Sequence, residues 1–489
     1  MSCLRALVWI TLCALSACAV GPNFKRPPAP TASGYGTASE GAQTSSADGT
    51  QGGEAQRLVA DMDIPSQWWT LFHSEDLNSL VTQALKSNAD VAAAQAAVRQ
   101  AHELYSAQWT SLLPVAQGSF SGDRSEFPSA TLSSPTVNSN TTYSLYTAQL
   151  TVSYAPDIFG LARRQVELAK AQEQAARFQL EATYLTLSSN VVVTAVQEAS
   201  LRGQIAATER LLGLQRQLTE LVQRQRKLGT ASELDLLSQQ TLEAQTAQTL
   251  PPLNKQLGQA RDALSALLGR LPSEEPAATF RLDQLTLPEE VPVSIPSKLI
   301  VQRPDVRLAE ENLHAASAAA GVASANLLPQ FAINADLGTS SLNISKLFSS
   351  YTEFWDLGAT LTQTLFDSGA LIHRRRAAYA ALDQAGAQYR SAVILACQNV
   401  ADALRALKAD ADGLKASAEA ERAAKRSYEL AQRQRELGTI SLLNVMSAEQ
   451  SYLQAELALV QAQANRYADT AGLFQSLGGG WWNRKGDER

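Results

Sequence analysis

The chain has 489 residues and a net charge of −6. This length allows about three ordinary domains, and the mild acidity gives no reason to expect binding to nucleic acid. Only 18% of residues are charged, and long helical runs carry Ala, Gln, Ser and Thr where a free-standing soluble helix would carry Lys and Glu. Such faces favour helix-on-helix packing around a wet space over a single apolar core.

The N-terminus predicts a cleaved and acylated chain. The apolar run Ala6 to Leu15 is too short to span a bilayer and is typical of a secretory signal. It ends in Leu15-Ser16-Ala17-Cys18, which looks like a bacterial lipobox. We expect a lipoprotein signal peptide at residues 1–17 and acylation of Cys18; the alternative is an ordinary signal with incidental cysteines. In bacterial lipoproteins, Asp directly after the acylated cysteine is associated with retention in the inner membrane. This chain has Ala19 at that position, so the resemblance favours the outer membrane.

We predict that residues 18–66 form the acylated N-terminus and an extended tether. The segment is rich in Pro and then in Gly, Ser, Thr and Ala, and this composition cannot bury a core. Ordered structure is expected from about Trp68. Apolar residues then recur at helical spacing as far as Leu112, and Pro114 ends the pattern.

Four later segments alternate apolar with small polar residues, which indicates strands with one apolar and one wet face. Three are clear and one is weaker: 147–154, 331–338 and 357–365, and the weaker 115–127. Strands of about ten residues with these two faces fit a transmembrane barrel; the alternative is the edge of a soluble sandwich. The polar stretches at 128–142 and 343–354 predict loops.

A long helix is predicted after each strand pair, at about 161–228 and 370–437. Each helix measures on the order of 100 Å at 1.5 Å per residue. The two helices end in related motifs, Arg224–Thr230 and Arg433–Thr439, which lie 209 residues apart. The Leu-Gly-Thr in each motif is a helix stop signal, and a new helix starts at once. Each motif therefore predicts the tip of a helical hairpin, and the repetition indicates a duplicated unit.

The helix that returns from the first tip is expected to break at Pro251-Pro252, because proline removes backbone hydrogen bonds and clashes with the preceding turn. The predicted division has two repeats, each with a helix, a strand pair and a long helical hairpin. Its boundaries are 67–287 for the first repeat, 288–298 for a Pro-rich connection, 299–480 for the second repeat and 481–489 for a C-terminal tail.

Short motifs cover nearly the whole mature chain, and each is weak alone. In order, they are Cys18–Phe24, Trp68–Phe72, Ser87–Val91, Leu112–Pro114, Tyr154–Gly160, Leu264–Gly269, Gln302–Val306 and Leu477–Trp481. Together and in this order, they resemble the outer-membrane efflux proteins, the TolC-like outer-membrane factors, in their lipoprotein branch. The resemblance implies an α+β membrane protein: a homotrimer whose twelve-stranded transmembrane β-barrel, four strands per chain, continues into a long periplasmic α-helical barrel.

The strands support an oligomer independently. Four strands cannot close a barrel, and open sheet edges are not tolerated in hydrocarbon, so copies must combine. Two copies would give an eight-stranded barrel filled by side chains, whereas three or more leave room for a channel. The choice of three comes from the resemblance.

The candidate functional residues lie at the hairpin tips, which in the family close the periplasmic end of the tunnel. An acidic position six residues past the tip glycine lines the aperture there. Asp235 matches this position, and Asn444 replaces the carboxylate in the second copy. Arg226 and Arg435 are candidates to pair with carboxylates in a closed state. The alternative for Asp235 is a helix-start charge stabilised by the helix dipole. Expected contacts to an adaptor are Leu228, Gly229, Thr230, Leu437, Gly438 and Thr439.

We find no catalytic constellation and no metal-ligand spacing among the histidines, so we expect no enzyme activity, no metal and no cofactor. The expected function is a passive outer-membrane exit duct of a tripartite efflux pump for small toxic compounds or metals. The expected partners are a periplasmic adaptor, an inner-membrane pump of the RND type, and outer-membrane lipid. A protein-secretion duct and a structural, envelope-spanning lipoprotein are the alternatives. The basic run Arg374-Arg375-Arg376 is expected to be a solvated face.

Overall fold

The structure is a computed structural model that describes residues 19–32, 34–36, 43–127 and 141–484. The predicted signal peptide, Cys18, most of the 128–142 loop and the end of the C-terminal tail lie outside the described residues. The chain divides into two compact units, each made of three segments. We call them the strand unit (1–26, 98–175 and 309–389) and the helical unit (27–97, 176–308 and 390–489).

The strands and helices are numbered in chain order. They are β1 (Arg57–Ala60), α1 (Glu75–Ser87), α2 (Ala89–Thr110), β2 (Val115–Phe127), β3 (Thr141–Tyr154), α3 (Leu161–Lys227), α4 (Glu233–Leu267), β4 (Glu290–Val293), α5 (Pro296–Gln302), α6 (Pro304–Ala325), β5 (Gln330–Ser341), β6 (Glu353–Thr362), α7 (Ala370–Glu436) and α8 (Leu442–Ser476). Short 3₁₀ turns lie at Trp68–Phe72, Leu282–Gln284, Ile344–Lys346 and Trp481–Asn483.

The strand unit contains one antiparallel sheet in the order β2-β3-β5-β6. The register aligns Gly118, Leu150, Leu337 and Trp355 in one cross-strand row. The next row aligns Gln117, Thr151, Asp336 and Asp356. Because side chains alternate along a strand, the first row lies on an apolar face and the second on a polar face. The four predicted strands and their two faces are confirmed.

The apolar face of the sheet is uncovered in the single chain. The side chain of Leu150 is 47% exposed, and Leu337, Trp355 and Leu357 are also exposed. An apolar sheet face of this extent beside a polar face suits a membrane-spanning strand set, with one face towards lipid and the other towards water.

The prediction of a helix break at Pro251-Pro252 is wrong, because α4 continues through both prolines. Both prolines are exposed, so water can reach carbonyl groups that lose their amide partners. The carbonyl groups that lose their amide partners are those of Ala247 and Gln248, four residues before each proline.

The helix predicted to run to Leu112 is instead divided at Asn88. The Asn88 side chain accepts from the backbone N–H groups of Asp90 and Val91, at 2.8 and 3.3 Å, and thereby caps α2. Its amide also donates to the Leu267 carbonyl at 3.0 Å, so the end of α4 docks on this break. The break satisfies polar groups of two helix ends at once.

Each half of the chain contains such a docked helix end. Gly269 and Gly478 both have positive φ, +69° and +95°. A Cβ atom at either glycine would lie 2.4 Å from a backbone oxygen, that of Ser87 or that of Gln302. Only glycine allows this close approach of backbone to backbone.

The segment predicted as a tether is held against the helical unit from residue 43 onward. Strand β1 pairs in parallel with β4. The buried Gln56 side chain donates to the Pro288 carbonyl at 3.1 Å and to the Thr470 hydroxyl at 3.2 Å. Ala47 and Ile64 of this segment are also buried, and Ala47 packs against Leu414 and Ala418. The composition did not indicate this attachment because it depends on partners far away in the sequence.

The core of the helical unit surrounds an aromatic cluster. Trp68 stacks on Phe474 with ring centroids 5.4 Å apart, and Phe72 and Tyr467 complete the group. Each of these rings is almost fully buried. The 3₁₀ turn Trp68–Phe72 thus anchors the start of the first half against the last helix.

None of the helices in the described ranges combines the length and the apolar character needed to cross a bilayer.

Candidate functional site at the hairpin tips

Both tips end their long helix by the same arrangement of backbone hydrogen bonds. Gly229 and Gly438 adopt the left-handed conformation, with φ of +77° and +73°. The Thr230 N–H donates to the Gln225 carbonyl, and the Thr439 N–H to the Gln434 carbonyl, each at 2.9 Å. This six-residue closure satisfies the terminal carbonyls and needs glycine at the left-handed position.

The leucine before each tip glycine is uncovered. Leu228 is 79% exposed and Leu437 is 78% exposed, and Leu234 and Leu443 are exposed on the return helices. Four exposed leucines thus lie within five residues of the two tip glycines, and exposed apolar side chains grouped in the sequence in this way favour an interaction site.

Asp235 takes part in a capping box at the start of α4. Ser232 Oγ accepts from the Asp235 N–H at 3.0 Å, and Asp235 Oδ2 accepts from the Ser232 N–H at 2.9 Å. The hydrogen bonds from the Ser232 backbone and hydroxyl lower the pKa of Asp235, and the charge of Arg435 lowers it further. The carboxylate is therefore charged at neutral pH and contributes to the helix start.

Asn444 occupies the corresponding place in the second hairpin without the reciprocal bond. Ser441 Oγ accepts from the Asn444 N–H at 3.4 Å, and this is a one-sided cap. The two tips thus differ in charge and in cap strength although their turns are the same.

The tip arginines have different partners. Arg226 pairs with Glu233 across its own tip, with Nε and Oε2 2.5 Å apart. Arg435 donates to the side-chain oxygen of Gln225 on the other hairpin at 3.5 Å. Both members of the Arg226–Glu233 pair are about half exposed, so solvent screens the pair. Sequence reasoning did not single out Glu233, although its place directly after the capping serine indicated a first-turn carboxylate.

An apolar cluster joins the two hairpins next to the tips. Val222, Leu236 and Leu242 of the first hairpin pack with Leu442 and Met446 of the second. A second cluster places Tyr428 and Val445 together, with Leu218 packed against both clusters. Separation of the hairpins at this end would expose these side chains.

Glu449 lies fully buried on α8, one turn beyond Val445 and Met446. Neither of its carboxylate oxygens has a hydrogen-bond partner among the described residues. Burial raises the pKa of Glu449 to about 7. The sequence analysis did not identify this residue. A glutamate at helical spacing among apolar positions was the pattern that could have indicated its burial.

Residues 80–270 and 295–479 match the model of a protein family described as outer membrane efflux protein. The chain belongs to this family. The matched ranges include both tip motifs, all four strands of the sheet and both long hairpins, so the assignment covers the elements described above.

Relatives of known name align over almost the whole chain. The solvent efflux pump outer membrane protein SrpC of Pseudomonas putida is 29% identical over 488 residues, covering 98% of this chain and 98% of its own. The pyoverdine export outer membrane protein OpmQ of the same species is 28% identical over 421 residues, covering 86% and 89%.

Solved outer-membrane channels share the fold. The channel OprN superposes with a TM-score of 0.85 at 28% identity, covering 95% of this chain and 100% of its own. The Campylobacter jejuni channel CmeC superposes with a TM-score of 0.86 at 22% identity, covering 96% of each chain.

The family membership and these folds confirm the predicted fold class, an α+β membrane protein with a trimeric twelve-stranded transmembrane β-barrel, four strands per chain, and a long α-helical barrel. The protein is an outer-membrane efflux channel that extends into the periplasm. Its family consists of channels and is not an enzyme family. No group of three or more potential metal-ligating side chains occurs in the described part of the chain.

The buried Glu449 predicts a pH-dependent second hairpin. Burial raises the pKa of Glu449 from its ordinary value of 4.5 to about 7, so between these pH values the folded hairpin binds more protons than the opened one. Its stability is therefore greatest below about pH 4.5 and falls as the pH rises to about 7. At each pH, we compare hydrogen exchange of peptides around Glu449 between the wild type and Glu449→Gln, because the ratio cancels intrinsic exchange rates. Protection should diverge with rising pH and favour the variant.

The exposed Gln450 is the matched site for a control, since Gln450→Glu adds a carboxylate beside Glu449 without burying it. This control should leave the pH dependence of exchange near wild type. A constant ratio between wild type and Glu449→Gln from pH 5 to 8 would contradict the prediction.

Proposed function

We propose that the protein is the exit duct of a tripartite pump that exports small toxic compounds or metals, and that it works without enzymatic activity or a cofactor. The best support for this proposal is that one chain combines an uncovered apolar sheet face with two long hairpins that end in exposed leucines. The names of the relatives, which refer to toluene, solvent, antibiotic and pyoverdine export, support small molecules as the cargo.

The proposed assembly is a homotrimer joined to a periplasmic adaptor and an inner-membrane pump of the RND type. Strands β2 and β6 form the two edges of the sheet, and each edge pairs with a neighbouring copy, because unpaired edges are costly in hydrocarbon. The adaptor contacts the tips through Leu228, Leu437 and the adjoining Gly-Thr pairs. The inner-membrane pump supplies the energy for export.

Export and conductance together test the function. A strain that lacks the gene should become sensitive to toxic compounds, and the wild-type gene should restore resistance. The purified protein should form conducting pores in planar bilayers. If the protein conducts but the deletion strain loses only a secreted protein, the duct serves secretion. If no conductance is found in correctly inserted protein, a structural spacer is supported instead.

We also propose that Cys18 is acylated and assists membrane attachment. Cys18→Ser is expected to abolish lipidation but to impair efflux only in part, because one or two acyl chains add less to membrane attachment than a spanning barrel does. Metabolic labelling with a radioactive fatty acid and fractionation of membranes provide the measurement. Folded, trimeric Cys18→Ser protein that is soluble in the periplasm would contradict the barrel as the main anchor.

Asp235 is proposed to line the periplasmic aperture in three copies, with Arg226 and Arg435 stabilising the closed state and Asn444 leaving the second position uncharged. Asp235→Ala is expected to lower cation selectivity and block by divalent ions, because like charges held close together favour a cation between them. Arg226→Ala and Arg435→Ala are expected to raise resting conductance. Single-channel recordings with divalent ions added from the periplasmic side measure all three.

Ser232→Ala provides the matched control for Asp235→Ala. It removes the other half of the same capping box, at a cost of about 1 kcal/mol, but retains the carboxylate. If both variants change the divalent block equally, Asp235 acts only through the helix start. If only Asp235→Ala changes it, the charge itself acts at the aperture.

A further inference from the structure

Three consecutive arginines, Arg374, Arg375 and Arg376, lie in the second turn of α7, in the strand unit. All three side chains are exposed. At 1.5 Å per residue, they lie roughly 6–9 Å from the start of the helix. Strand β6, which spans the membrane, ends at Thr362, twelve residues before Arg374. The run therefore follows directly after the protein leaves the hydrocarbon region on the helical, periplasmic side.

No carboxylate pairs with these arginines in the part of the chain that the structure describes. Arg375 lies over the ring of Tyr379, with its guanidinium carbon 5.4 Å from the ring centroid. The preceding carboxylate, Asp367, accepts from the backbone N–H groups of Gly369 and Leu371 at 2.9 and 2.6 Å. It caps the helix and leaves the arginine charges uncompensated.

The first strand-to-helix junction, whose arginines lie one turn earlier in the helix, gives an internal comparison. Arg163 and Arg164 occupy the start of α3, after β3. Arg163 pairs with Asp157 at 3.0 Å, and the buried Arg164 pairs with Glu167 at 2.6 Å. The first strand-to-helix junction thus neutralises its arginines within the chain, whereas the second presents three positive charges outward.

Exposed apolar side chains lie between the strand and the arginines. Leu365 is 92% exposed and Phe366 is 86% exposed. Apolar and aromatic side chains followed by basic ones form the pattern of a membrane interface, in which rings lie at the hydrocarbon boundary and guanidinium groups reach the phosphates. The planar guanidinium binds phosphate oxygens with two hydrogen bonds at once.

We propose that Arg374, Arg375 and Arg376, together with Leu365 and Phe366, form a binding surface for anionic phospholipid headgroups in the periplasmic leaflet of the outer membrane. The occupant is a membrane lipid and not a soluble phosphate, because the apolar pair lies between the arginines and the strand end. This surface goes beyond the export function and contacts lipid at one of the two strand-to-helix junctions of each chain.

The full-length protein in detergent is tested by native mass spectrometry after addition of equal amounts of phosphatidylglycerol and phosphatidylcholine. The wild type should retain phosphatidylglycerol preferentially. R374Q/R375Q/R376Q should lose that preference, roughly fivefold for each arginine removed, by the usual contribution of a basic residue at an anionic surface. R374K/R375K/R376K retains the charge and should keep most of the preference.

K415Q/R422Q/K425Q is the control, because it removes three exposed charges from the same helix, far from the strand. It should leave lipid retention unchanged. Equal phosphatidylglycerol retention by the wild type and the triple glutamine variant would overturn the proposal and leave a solvated face. Dissociation of that variant into monomers would overturn it in favour of a contact between subunits. Displacement of the lipid by millimolar inorganic phosphate would overturn the choice of lipid over soluble phosphate.

Discussion

Leu150→Arg is expected to prevent assembly of the membrane-embedded channel. Leu150 lies on the apolar face of β3, in one row with Leu337 and Trp355. An arginine there must leave water for lipid, at a cost of roughly 2–4 kcal/mol near the bilayer midplane, and the cost recurs in every subunit. Heat-resistant trimers in outer-membrane fractions, detected by gel electrophoresis, provide the measurement; we expect a loss of most of the signal.

Thr151→Arg is the matched control for this substitution. Thr151 is the next residue and lies on the polar face, where its hydroxyl donates to Asp336. An arginine at this position meets water and a carboxylate, so trimers should form in normal amounts and conductance should change. Equal assembly of the two variants would contradict the assignment of lipid-facing and water-facing sides.

Trp68→Ala is expected to destabilise the helical unit most among single core substitutions. The ring is almost fully buried and stacks on Phe474 at 5.4 Å, with Phe72 on another side. Loss of a buried aromatic ring leaves a cavity and typically costs about 3–5 kcal/mol. The melting temperature of the purified protein in detergent should fall markedly.

Trp109→Ala removes the same atoms from an exposed site on α2 and is the control. Its effect on melting should be small. If the two variants melt alike, the aromatic cluster does not limit the stability of the helical unit. Trp68→Phe retains part of the stacking on Phe474 and should fall between the wild type and Trp68→Ala.

Sequence periodicity predicted the strands and long helices because both extend over many residues. The alternation in Phe331–Gly338 spans enough positions for one face to be distinguished from the other. The two tips were equally clear, because a left-handed glycine followed by threonine gives a local signal that does not depend on distant contacts. These elements depend on interactions between residues that are close in the sequence, so local sequence patterns are enough to predict them.

Elements that depend on distant partners could not be predicted in this way. The break at Asn88 exists because the end of α4, almost 180 residues later, needs a hydrogen-bond donor. Strand β1 forms only because β4 offers a parallel partner. Pro251 and Pro252 remain in a helix because both are exposed, so water can reach the Ala247 and Gln248 carbonyl groups that lack amide partners. Local helix and strand propensities do not indicate contacts with such distant partners or with water.

The candidate site was predicted in part. The resemblance placed Asp235 and the arginines at the tips, and the structure adds what each contacts: Ser232 for Asp235, and Glu233 for Arg226. The burial of Glu449 depends on tertiary packing, and the amphipathic pattern of one helix does not show how deeply a residue on it is buried. Burial is a tertiary property, and it decides whether that carboxyl titrates near neutrality.

The closure of each tip joins backbone atoms of a single short segment, from Gln225 to Thr230 and from Gln434 to Thr439. The threonine hydroxyl of each tip donates to the same carbonyl, so the turn makes few demands on side chains other than glycine and threonine. Such a turn can be exchanged between related channels as a cassette, and the recipient should fold as before. The exposed side chains at a tip can consequently change while the scaffold stays the same, so the contacts made by the tip are separable from the fold that presents it.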